Sequence, residues 1–134
     1  MQKKRRTLVT AIALAPLAAC QSTPPSTTAR KAMYGTIAKI KTKPGQRDAL
    51  ASILLQATQS MPGCLSYVVA VDPADTDALW VTEIGESAAS HKASLDLPAI
   101  RAALQAGRPL ISGFGERFET HPVGGFGMRL PQDH

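Results

Sequence analysis

Apolar and polar side chains alternate along residues 33–41, with Tyr34, Thr36, Ala38 and Ile40 on one side and Met33, Ile37 and Lys39 on the other. A period of two marks a strand. Pro44-Gly45 breaks the alternation, and the spacing then becomes helical. Leu50, Ile53, Leu54, Ala57 and Met61 form a one-sided stripe over residues 46–60, which predicts an amphipathic helix stopped by Pro62-Gly63. Cys64 to Val71 is rich in β-formers. The turn residues Asp72-Pro73-Ala74-Asp75-Thr76-Asp77 join it as a hairpin to a second alternating strand, Ala78 to Ile84. After Gly85-Glu86, Ser87 is the expected N-cap of a helix of small residues that carries His91. Asp96 and Pro98 restart helix, with Ile100, Ala103 and Leu104 on one side and Gly107 as its expected stop. From Ser112 to His121 the alternation returns, with Phe114, Glu116, Phe118 and Thr120 set against Gly113, Gly115, Arg117 and Glu119.

The order is β-α-β-β-α-β, which predicts an α+β, ferredoxin-like antiparallel sheet with both helices on one face. No helix is left to cover the other face. With Val68, Trp80, Ile84 and Phe118 distributed over the strands, one face is apolar enough to need a lid. A second copy of the sheet is the economical lid, so a homodimer is expected.

The first residues follow another logic. Lys3-Lys4-Arg5-Arg6 precedes a short apolar run, Leu8 to Leu17, and then Leu17-Ala18-Ala19-Cys20. The run is about half the ~20 residues a membrane-spanning helix requires, so a cleaved signal is expected over residues 1–19. Leu-Ala-Ala-Cys resembles the lipobox of bacterial lipoproteins, which makes Cys20 the lipidation site. Residues 20–32, rich in Ser, Thr and Pro, read as a disordered tether. Residues 33–121 are the folded domain, and residues 122–134 a Gly-rich tail suited to lying on a partner surface or to fraying. The expected location is the cell envelope, lipid-anchored to a membrane on its periplasmic or extracellular side.

Removing that leader changes the charge. Four of the 15 Lys and Arg precede Cys20, leaving 11 against 10 Asp and Glu. The domain therefore has no basic excess with which to hold nucleic acid. With Cys20 lipidated, Cys64 has no partner for an intramolecular disulfide and reads as a small strand hydrophobe. His91, His121, His134 and Cys64 lack metal-ligand spacing. Gly124-Gly125-Phe126-Gly127 opens no helix, so it is no phosphate loop. No metal and no cofactor are expected.

Chemistry concentrates between Ala78 and Leu104. His91 falls on the inward stripe of its helix. It is either a general base, since imidazole exchanges a proton near neutrality, or a bond that locks helix to sheet. Glu83 shares a strand face with Leu79 and Val81, where a carboxylate is costly unless paired. His91, Arg101 and Arg117 are its candidate partners. Trp80 and Tyr67 are either an aromatic shelf for a substrate ring or core and interface residues.

Element order and several short motifs together resemble the antibiotic biosynthesis monooxygenase family, dimeric α+β barrels that include quinol monooxygenases. The carriers are Lys43-Pro44-Gly45, Met61-Pro62-Gly63-Cys64-Leu65-Ser66-Tyr67, Asp72-Pro73, and Glu83 followed by His91 and Asp96-Leu97-Pro98. Gly85 stands where the family often has an aromatic residue, and Ala99 where it often has a second His. The resemblance implies oxidation of a small phenol or quinol by O₂ without metal or flavin. It casts His91 and Glu83 as catalytic and Trp80, Tyr67 and Arg101 as substrate-binding. The competing expectation is a non-catalytic, lipid-anchored dimer that holds a small hydrophobic molecule.

Overall fold

A computed structural model describes residues 32–129. The expected signal, Cys20 and most of the tether lie outside the described residues, as do residues 130–134 of the tail. The elements run β1 (Tyr34–Thr42), α1 (Arg47–Ala57), β2 (Cys64–Val71), β3 (Ala78–Gly85), α2 (Ala88–Ser94), α3 (Pro98–Gly107), a 3₁₀ turn (Arg108–Leu110) and β4 (Ile111–Thr120). The strands form one antiparallel sheet in the order β2-β3-β1-β4. This is the α+β, ferredoxin-like arrangement that the periodicities predict. Among the described residues no helix is long and apolar enough to cross a membrane.

Register fixes what each face carries. On the helix-covered face one row crosses all four strands as Tyr67, Glu83, Thr36 and Glu119. The adjacent row on the opposite face reads Val68, Thr82, Ile37 and Phe118. Leu79 and Val81 extend the helix-side set, and with Leu50, Leu65 and Ile100 they make the buried core. On the uncovered face Val68 and Phe118 remain 53% and 54% exposed. The lidless apolar face is therefore present in the single chain.

One local expectation is corrected by packing. The alternation of β4 sets Phe114 and Phe118 on one side, yet Phe114 pairs with Ile40 and Phe118 with Ile37, which face opposite ways. Between Ala38 and Ile40 the partner strand advances from Arg117 to Phe114, one residue more than β1 does. That bulge turns Phe114 toward the helices. Gly107 ends α3 as expected, and with helical dihedrals it leads straight into the 3₁₀ turn. A Cβ there would come within 2.9 Å of Leu50 Cδ1, so the end of that buried side chain, on which α1 and α3 close, would have to shift.

Trp80 has a structural task on the uncovered face. Its indole N–H donates to Asp72 Oδ2 at 3.0 Å, and Lys39 Nζ meets the same oxygen at 2.6 Å while lying over the indole ring. The Lys39 ammonium, the Ala74 N–H and the indole together hold the Asp72 carboxyl at about 2, below its ordinary 3.8. A carboxyl depressed on folding adds stability above its unfolded value, and that stability disappears as pH falls through the folded value. Lys39, raised by Asp72, keeps its charge through neutrality and loses its contribution only as pH climbs through its own raised value. Denaturant midpoints followed by the single Trp should therefore fall between about pH 4 and about pH 2. In Asp72→Asn this dependence should flatten; an equal slope in the variant would remove the pair from the acid response.

Candidate functional site

Glu83 is delivered by β3 to the helix side because it is two residues from Val81 and four from Leu79 on one strand. His91 is delivered by α2, whose start is set by Ser87: its hydroxyl accepts from the Ser90 N–H at 3.1 Å. The two meet at 3.0 Å, His91 Nδ1 to Glu83 Oε1, with both side chains largely buried. Of the three partners open to Glu83 in the sequence, the structure selects His91. Arg101 instead lies in solvent 3.4 Å from Asp96. Arg117 reaches Glu119 and the Tyr34 hydroxyl.

Tyr34 is the residue the sequence reasoning passed over. Its ring lies 5.2 Å from that of His91, and its hydroxyl donates to Glu119 Oε1 at 2.8 Å. This bond to Glu119, with partial burial, raises the phenol above its ordinary value. The available signal was its position on the Thr36 face, one step from the row that holds Glu83. The imidazole is thereby held from two sides, by a carboxylate and an aromatic ring.

Between the helices and the sheet lies a cavity of about 90 Å³, lined among others by Leu54, Met61, Tyr67, Glu83, Ile100 and Leu104. Its wall is mostly apolar. Thr58 and Ser94 also border it, but their hydroxyls already donate to the carbonyls of Leu54 and His91. Glu83 and Tyr67, cross-strand neighbours, are left as the polar groups that can serve a ligand. Burial, with the nearby Glu83 charge adding to it, drives the Tyr67 phenol far up, so it stays a proton donor. His91 does not border the cavity; it stands behind the carboxylate. Of the two, Glu83 is the one that borders the cavity. Trp80 lies on the opposite face of the sheet from Tyr67, so the two form no shelf.

A second hollow, about 380 Å³, lies outside the same wall and is lined by Thr58, Met61, Cys64, Tyr67, Gly127 and Arg129 among others. The Cys64 thiol sits 3.4 Å from the Ser66 carbonyl, and burial pushes it up, which makes it a poor nucleophile. Among the described residues no three His, Cys, Asp or Glu side chains converge to hold a metal ion.

The model of the antibiotic biosynthesis monooxygenase family matches residues 33–106. The chain belongs to this family. A solved structure from Chloroflexus aurantiacus, described as a candidate antibiotic biosynthesis monooxygenase, is 58% identical, with 72% of this chain and 99% of that one covered at a TM-score of 0.70. A similarly described structure from Caulobacter crescentus is 21% identical over 71% of this chain and 93% of its own, with a TM-score of 0.63, and supports the fold alone. No curated protein matches the chain.

Proposed function

We propose that this family member is a monooxygenase that oxidises a small phenol or quinol with O₂, using neither metal nor organic cofactor, at the cell envelope. The observation that carries the reading is Glu83: a carboxylate backed by His91, facing an apolar cavity beside an un-ionised Tyr67. A substrate hydroxyl placed there would give its proton to Glu83, with His91 Nδ1–H stabilising the carboxylate it faces. Tyr67 would donate to the resulting oxyanion. The electron-rich anion passes an electron to O₂; one oxygen atom enters the ring and the other leaves as water, the quinol supplying the electrons. The test is oxygen uptake by the chelator-treated full chain on a panel of quinols, with product identified. Absence of uptake across the panel would overturn the reading.

The size of the inner cavity favours a second reading. About 90 Å³ is less than the roughly 150 Å³ that takes up a benzene ring. Gly85 and Ala99 also stand where the family often places larger pocket residues. A lipid-anchored, dimeric module that binds a small hydrophobic molecule without turnover fits these facts. Retention of a quinol with no oxygen consumption would select it.

Both readings place a second copy on the uncovered sheet face. The exposed Val68 and Phe118 support this, because leaving apolar side chains so arranged in water costs free energy that burial would recover. Wild-type protein is expected to sediment as a dimer, and Val68→Lys/Phe118→Lys as a folded monomer. A wild-type monomer would remove the dimer from either reading.

A further inference from the structure

We infer that the outer hollow at the β2 edge is the port to the Glu83 cavity, and that Arg129 at its rim selects aromatic substrates that carry an acidic group. The inference rests on the proposed oxidation site and adds the substrate class to it.

The tail builds this port. After β4 the chain turns at Pro122, whose ring lies against Gly35, where a Cβ would meet it at 3.0 Å. It then returns to the far edge of the sheet, where the Arg129 N–H donates to the Leu65 carbonyl at 3.0 Å. That bond puts the Arg129 side chain at the rim of the 380 Å³ hollow, beside Cys64. Arg129 pairs with no carboxylate among the described residues.

Only one layer of side chains divides the two hollows. Thr58, Met61 and Tyr67 border both. Met is unbranched and re-packs readily, so a rotamer change at Met61 can join the spaces. Of these two hollows the outer one falls within the roughly 300–1,000 Å³ typical of ligand sites, whereas the inner one admits no aromatic ring while closed. A ring entering here meets a cation outside and a carboxylate inside. Those charges orient it: an acidic substituent remains at Arg129, and the hydroxyl points to Glu83. The reverse orientation would set two anions against each other.

The experiment measures anaerobic binding of hydroquinone and of 2,5-dihydroxybenzoate to the full chain by calorimetry, so that no turnover is required. The carboxylated quinol is expected to bind about tenfold more tightly, the scale of one charge-assisted hydrogen bond. Arg129→Gln, an exposed change, should abolish that preference and leave hydroquinone unaffected. Met61→Trp, which fills the wall, should weaken both. Equal affinities in the wild type, or a preference that survives in Arg129→Gln, would overturn the role of Arg129 while leaving the oxidation site standing. Unchanged binding in Met61→Trp would overturn the port. If neither quinol binds the wild type, the oxidation site falls as well.

Discussion

Glu83→Gln is expected to lower the rate of quinol oxidation by about 10²–10⁴-fold, the usual contribution of a positioned acid–base group. The change is nearly isosteric, and the amide can still bond His91 across the present 3.0 Å contact. The fold should therefore survive, with a thermal midpoint close to wild type. What the amide cannot do is take a proton. A purely structural Glu83 would give the opposite pattern, with turnover retained in Glu83→Gln. His91→Gln separates the second member of the pair: its amide can keep Glu83 bonded, so stability should hold while kcat falls with little change in KM. His91→Ala is a poorer probe. It leaves a largely buried carboxylate without its partner and so lowers stability and rate together.

Gly63→Ala should cost on the order of 3 kcal/mol. Two terms add: the left-handed backbone costs a non-glycine residue about 1–2 kcal/mol, and overpacking typically costs about 1–3 kcal/mol. Both are visible at this position. Gly63 has φ 78°, and a Cβ there would lie 2.8 Å from the Cβ of Ser90, on the helix that carries His91. The Gly63 carbonyl also accepts the Glu86 N–H at 2.9 Å, tying the start of β2 to the turn before α2. For a domain of this size the loss corresponds to roughly 10–20 °C in Tm. Gly45→Ala is the control: φ is 74°, but nothing lies within 4 Å, so the backbone term acts alone. Thermal melts of both variants check the difference. A coupling between Gly63→Ala and Ser90→Gly would assign the excess to the clash. Equal losses at the two glycines would mean that α2 yields without cost.

Fold and site differ in how far each was legible. The strands and helices announce themselves through periods of two and 3.6, because burying one side of each element is a local demand on spacing. The β2 span, the hairpin and the Ser87 cap follow from such demands. Glu83 was legible as a costly acid on an apolar strand face, and His91 was among its expected partners. The choice of His91 over Arg101 and Arg117 was not legible, since it depends on the angle at which α2 crosses β3.

The sequence alone determined the element order, the α+β class, the strand face that Glu83 shares with Leu79 and Val81, and the uncovered apolar sheet face, all through local alternation and turn chemistry. Which side of the sheet Glu83 occupies was decided by the packing of the helices. Tertiary structure decided what local patterns cannot encode. A bulge measured against β1 moved Phe114 to the helix side, and the closing of α1 on α3 set Leu50 against Gly107. Cross-strand register placed Tyr67 and Trp80 on opposite faces. The return of the tail to Leu65 brought Arg129 to a hollow formed by residues more than sixty positions earlier. Each of these depends on the distance between segments remote in the chain, a quantity that exists only once the chain has packed.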